Sequence, residues 1–141
     1  MRRKHQRGQE LVEFALIASI VLIFLFGIID WGIAFLNHET IAQRTAWAAR
    51  YYSTTEDSAG ATNIVLSGTP GGGGFTPIGM GGASIEITEV SAVDPGAFTG
   101  VATARTHVRV RVSNYSYSMF TPFVGQLINS APIVAFHPLE N

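Results

Sequence analysis

The pattern of hydrophobic and polar positions divides the chain into three unequal parts. Met1 to Gly8 is polar and basic. Phe14 to Ile29 is then an unbroken apolar run without charge, FALIASIVLIFLFGII, and after Asp30 it resumes through Trp31, Ile33, Ala34, Phe35 and Leu36. As a helix, Phe14 to Leu36 spans roughly 35 Å, enough to cross a hydrocarbon core of about 30 Å. The helical pattern then changes character without stopping. Asn37 to Tyr52 contains no Gly or Pro, and Ile41, Thr45, Ala48 and Tyr52 recur on one face, with Thr40, Gln43, Arg44 and Arg50 elsewhere. The spacing predicts one helix over 9–52, membrane-buried in its first half and amphipathic in its second.

From residue 53 onward the pattern predicts strand and loop. Ser53 to Gly60 reads as a helix end and loop, and Thr62 to Leu66 as a short apolar strand. Residues 68–83 are Gly-rich and uncharged, with Gly71 to Gly74 in a row. They lack the Lys-Ser/Thr of a phosphate-binding loop, which leaves a flexible, variable loop as the reading. Ser84 to Val90 alternates, with Ile85 and Ile87 on one face and Glu86 and Thr88 on the other. Val101 to Ser113 alternates more clearly. Ala102, Ala104, Thr106, Val108, Val110 and Val112 form one face, and Arg105, His107, Arg109 and Arg111 the other. A last strand is expected over Pro132 to Phe136. The fold class is therefore α+β, a long N-terminal transmembrane helix followed by a small antiparallel β-rich domain over 53–141.

Charge sharpens this division. Charged residues make up 13% of the chain, about half the usual share. Net charge is -1, but Arg2, Arg3, Lys4 and Arg7 all precede the apolar run, and Lys4 is the only lysine. Positive charge on one flank orients a membrane segment with that flank in the cytoplasm. Three readings compete for the run: a cleaved secretory signal, a buried core helix and a retained membrane helix. The run is longer than an h-region, and bulky Trp31, Phe35 and Leu36 follow it, so the retained helix fits best. The chain has no Cys, which excludes disulfides, thiolate zinc sites and a Cys nucleophile.

The cytoplasmic boundary, Arg7-Gly8-Gln9-Glu10-Leu11-Val12-Glu13-Phe14, has two features that need a reason. Gly8 stands between basic tail and helix. Glu13 opens the apolar run, where a carboxylate is costly unless paired or near water. A prepilin-type processing site accounts for both. A membrane aspartyl peptidase cutting after Gly8 makes Gln9 the first residue and Glu13 the fifth, and the carboxylate can then pair with the new N-terminal amine when helices bundle. The plain alternative is a signal anchor in which Gly8 is a loop residue and Glu13 is solvated at the interface.

Arg7-Gly8-Gln9-Glu10-Leu11-Val12-Glu13-Phe14-Ala15-Leu16, followed by Phe26-Gly27-Ile28-Ile29-Asp30-Trp31-Gly32, resembles the N-terminal signature of the TadE-like family of pseudopilins, or minor pilins, of the Flp (Tad) pilus system. Ile41 to Tyr51, IAQRTAWAARY, resembles the Ala/Arg-rich helix that follows in that family. The resemblance covers about the first 50 residues. It implies a pilin-like fold with residues 1–8 as a basic prepilin leader. It implies a role in pilus assembly that supports adhesion and biofilm formation. The implied partners are a prepilin peptidase, other pilins or pseudopilins, the Tad inner-membrane assembly platform and the lipid bilayer. The implied location is the inner membrane, with the N-terminus cytoplasmic, the C-terminal domain periplasmic and an extracellular pilus as a further destination. One departure stands out: Ile33 occupies the position three after Asp30 where the family often has Arg, so no pairing of such an Arg with Asp30 carries over.

Asp30 has two readings. Near the outer interface its carboxylate can reach headgroups and water. Alternatively Ser19, Gly27, Asp30 and Ala34, small or polar and near one stripe, pack against another helix. The stripe Arg105, His107, Arg109 and Arg111 reads as a solvated strand face, paired across strands with Glu86 or Glu89, or as a docking surface for an acidic partner. Three Arg on an acidic body argue against nucleic acid. The four His (His5, His38, His107, His137) lack metal-ligand spacing, and no serine lies in a nucleophile-elbow context, so neither an enzyme nor a cofactor is expected. Rival readings are a type II secretion pseudopilin and an unprocessed single-span anchor binding an envelope protein.

Overall fold

In a computed structural model, the backbone is described over residues 3–94, 103–117 and 131–139, and side chains over 8–91, 106–117 and 131–139. Helix α1 (Arg3–Thr55) has 53 residues, a rod of about 80 Å. It passes through Gly8 without a break and continues three residues beyond Tyr52. Its end is made by local competition for the backbone. The Thr55 hydroxyl donates to the Tyr51 carbonyl at 2.8 Å, that of Thr54 to the same carbonyl at 3.0 Å, and Glu56 takes a left-handed φ of 55°.

The expected strand at Thr62–Leu66 is instead part of helix α2 (Ser58–Ser67). The caps decide this. The Asp57 carboxylate accepts from the backbone N–H groups of Ala59 and Gly60 at 3.1 and 3.0 Å, and Gly68 closes the other end in the left-handed conformation. Between those caps, buried Ala61, Ile64 and Val65 have helical spacing. The segment expected as loop at Ser53–Gly60 thus shrinks to Glu56 and Asp57. Tyr51 reaches Asp57 while Arg44 reaches Leu66, so α2 runs back antiparallel along α1.

The Gly-rich stretch after α2 is irregular apart from a short 3-10 turn, Met80–Gly82. It is pinned at several points. Asn37 bonds both backbone groups of Ile78, and Arg44 donates to the Phe75 carbonyl at 2.7 Å. The Gly79 carbonyl accepts from Ser116 N–H at 3.1 Å. Gly79 has φ 87°, and a Cβ there would strike the Ser116 carbonyl, so two requirements for glycine coincide.

Among the described residues three strands follow: β1 (Ser84–Asp94), β2 (Thr103–Ser113) and β3 (Ile133–Pro138), all antiparallel in the order β1-β2-β3. The last strand thus starts one residue later than expected and ends two later. Val101 and Ala102, assigned to a strand from sequence, lie outside the described residues. The alternation in β2 is realised: Val108, Val110 and Val112 are fully buried. Ile85 and Ile133 flank Val112, and Ile87 and Ala135 flank Val110. Helix α1, which buries Ile41, Thr45, Ala48 and Ala49, packs against this sheet, and α2 packs on α1 with Ala61, Ile64 and Val65 buried in the same core. His38 Nδ1 lies 3.1 Å from the Tyr115 hydroxyl, and His137, paired with Val108, lies 3.2 Å from Ser53 Oγ. Fifteen helical residues from 38 to 53 rise about 22 Å, and over that span β2 and the two residues after it return from Val108 to Tyr115. Helix and central strand therefore run antiparallel in step, and the far end of β2 points back toward the apolar half of α1.

Candidate membrane-interface and assembly site

Among the described residues one helix is long and apolar enough to cross a membrane, and its most apolar stretch is not buried within the chain. Leu11, Phe14, Leu16 and Phe24 are typical, each more than 60% exposed. A soluble surface does not carry a continuous apolar sheath of this size. Gly27 and Gly32 interrupt it and Gly8 precedes it, and no described neighbour accounts for them. A Cβ at Gly8, Gly27 or Gly32 would meet nothing within 4 Å, and none has a left-handed φ. Glycine inside a helix costs about 1 kcal/mol relative to alanine. Close approach by another molecule is a physical reason to keep it.

Gly8, Gln9 and Glu13 all lie on α1 and are exposed. The proposed packing stripe divides in two. Ser19 is exposed, its hydroxyl donating to its own helix at Ala15 (2.8 Å), and among the described residues a Cβ at Gly27 would meet nothing within 4 Å. Asp30 and Ala34 instead meet the segment that leaves β2. Asp30 is only 5% exposed, and its carboxylate lies near enough to Tyr117 to add to the effect of burial in raising that phenol's pKa. Ala34 lines a groove of about 250 Å³ with Trp31, Phe35, His38, Tyr115 and Tyr117. Burial likewise raises the pKa of Tyr115, whose hydroxyl donates to the Ala131 carbonyl at 3.2 Å.

The basic stripe is on the open face of the sheet. Arg109 Nε donates to Thr88 Oγ1 at 3.1 Å and its guanidinium lies 3.9 Å from Glu86. Arg111 stands opposite Glu86 in register, and His107 opposite Val90. The backbone of Arg105 pairs with Ala92, but its side chain lies outside the described residues. Glu89 turns the other way, accepting from Tyr52 OH at 3.3 Å. On the same open face Phe136 and Val134 flank Arg109 and Arg111.

Sequence reasoning missed Asn37, Arg44, Tyr115 and Tyr117, which tie the sheet domain to the end of the apolar segment. Asn37, the first polar residue after that segment, was the available signal. Its partner lies forty-one residues away.

The class defined here is an α+β protein with one long helix. One end of the helix carries a three-stranded sheet, and the other is an unburied apolar segment of membrane-crossing length, compatible with membrane anchoring. A family model described as TadE-like protein matches residues 8–50. Residues 8–50 are thus similar to TadE-like proteins. The match begins at Gly8 and covers the apolar half of α1 and most of its packed half, while all three strands lie beyond it. No curated protein and no solved structure matches the chain.

Proposed function

We propose that the chain is a TadE-like pseudopilin or minor pilin that acts in Flp (Tad) pilus assembly and supports surface adhesion and biofilm formation. The observation that carries this reading is the TadE-like match starting at Gly8, on a helix whose apolar half its own chain leaves uncovered. The basic leader stays in the cytoplasm, α1 holds the subunit in the inner membrane, and the sheet domain stands in the periplasm. A prepilin peptidase removes residues 1–8. Gly8 suits it, since glycine places no side chain in the way of a peptidase and no intrachain contact requires glycine there. The new amine of Gln9 is then available to the Glu13 carboxylate of a neighbouring helix, which relieves the cost of holding that charge at the membrane boundary. Other pilins and the Tad inner-membrane platform are the partners, and the work is assembly without catalysis or cofactor.

Intact-mass measurement of the membrane-extracted chain, with and without the peptidase, tests this. The chain should begin at Gln9 only when the peptidase is present, and Gly8→Ala should block trimming while leaving insertion intact. A chain that begins at Met1 or Arg2 under both conditions would instead be an unprocessed anchor.

A further inference from the structure

The apolar surface of α1 does not end at Leu36. Phe75 and Ile78 of the Gly-rich loop are 71% and 50% exposed, and they border a shallow groove with Ile33, Leu36, Asn37 and Thr40. Their position along the helix is fixed by hydrogen bonds. The Asn37 amide donates to the Ile78 carbonyl at 2.7 Å and accepts from Ile78 N–H at 3.0 Å. The Arg44 guanidinium donates to the carbonyls of Leu66 at 3.2 Å and Phe75 at 2.7 Å. These bonds satisfy both backbone groups of Ile78 and the Phe75 carbonyl while the two large apolar side chains stay uncovered.

Their height follows from helix geometry. If the hydrocarbon core begins at Phe14, just after Glu13, then about 20 helical residues use up its roughly 30 Å, near Ala34. Asn37 then lies about 5 Å further out, in the headgroup layer. Phe75 and Ile78 hang at that level. The chemistry matches it, since no charged residue occurs between Asp57 and Glu86. Trp31 and Tyr117 line a separate groove with Ala34 and Phe35, close to the outer edge of the core, where amphipathic rings gather at membrane interfaces.

We infer that the Gly-rich loop is a second membrane contact: Phe75 and Ile78 enter the headgroup region of the leaflet through which α1 leaves the bilayer. The inference rests on the reading that α1 spans the membrane. Lipid is the occupant because the two side chains continue the apolar surface of α1, and the guanidinium of Arg44 beside them is directed at the Leu66 and Phe75 carbonyls. Two attachments, α1 and the loop, fix both the height of the sheet domain and its rotation about the helix axis. The open sheet face with Arg109 and Phe136 is thereby presented in one direction.

The chain has no cysteine, so Phe75→Cys, Ile78→Cys, Phe24→Cys and Glu56→Cys each give one labelling site, all at exposed positions. Each is labelled with nitrobenzoxadiazole in the full chain, in vesicles of phosphatidylethanolamine and phosphatidylglycerol. Quenchers are lipids spin-labelled near the headgroup or deep in the acyl chain. Labels at 75 and 78 should be blue-shifted and quenched most by the shallow lipid, label 24 most by the deep lipid, and label 56 by neither. Deep quenching at 24 with water-like labels at 75 and 78 would leave the spanning helix intact and overturn the inference. A blue shift at 75 and 78 without lipid quenching would also overturn it, assigning the loop to a second copy of the chain. No quenching at 24 would remove the spanning reading and the inference together.

Discussion

The two halves of α1 are built from one continuous helix, yet the chain treats them in opposite ways. Between Asn37 and Thr55 the helix buries Ile41, Thr45, Ala48 and Ala49 against two other layers. Between Leu11 and Leu36 it exposes its large apolar side chains, including Ile29 and Trp31 on either side of the buried Asp30. The packed half has an amphipathic pattern and the bare half an apolar one. The packed half is stabilised by its own domain, and the bare half is compatible with lipid or other helices as its surroundings.

The largest way to break this symmetry is to remove the same side chain from each half. Ile41→Ala should cost the domain about 2–5 kcal/mol by leaving a cavity under β2. Ile23→Ala should change domain stability by less than about 0.5 kcal/mol. Denaturant titration in micelles, read by near-ultraviolet circular dichroism, separates them. A smaller contrast lies within the Gly-rich loop. Gly79→Ala should cost about 1–3 kcal/mol from the left-handed backbone alone, with the Ser116 contact adding to it. Gly71→Ala, in open space with no positive φ, should be close to neutral. Thermal melts of the two variants compare them directly.

Phenols at the two ends of the packed half also titrate. Burial raises the pKa of the Tyr52, Tyr115 and Tyr117 phenols above the ordinary 10.0, aided at Tyr52 by Glu89 and Glu56 and at Tyr117 by Asp30. The folded chain therefore holds these protons more tightly than the unfolded chain. The corresponding stability is full below about pH 10 and is lost as pH rises through the folded-state values. Alkaline ultraviolet titration should show tyrosinate forming later in the folded than in the denatured chain. The smallest expected effect is on the open sheet face. Arg109→Ala and Glu86→Ala should each cost about 0–1 kcal/mol, because the pair is solvent-exposed and 3.9 Å apart. A double-mutant cycle gives the coupling.

Much of this architecture was legible in the sequence because it depends on period. The face of Ile41, Thr45 and Ala48 follows from helical spacing, and the buried row of Val108, Val110 and Val112 from strict alternation. Thr62–Leu66 misled because Ile64 and Val65 in a short apolar run suit a strand as well as a helix, and the caps at Asp57 and Gly68 decided the matter. The covering of Asp30 was illegible for another reason. It depends on β2 returning antiparallel along α1, and no local pattern at Asp30 records where Tyr117 will arrive. The reading of Gly8 and Glu13 as a processing and assembly site came from local spacing and resemblance, and the three uncontacted glycines of α1 add a physical reason to look outside the chain for its partners.

The central claim is that one helix serves two solvents, and hydrogen–deuterium exchange of the full chain in lipid nanodiscs, in mild denaturant, tests it most directly. Amides of 37–55 should lose protection in one step with those of β2 and β3, while amides of 14–34 stay protected. Loss of protection at 14–34 in the same step as the sheet would contradict the account, because the apolar half would then depend on the domain and not on the bilayer.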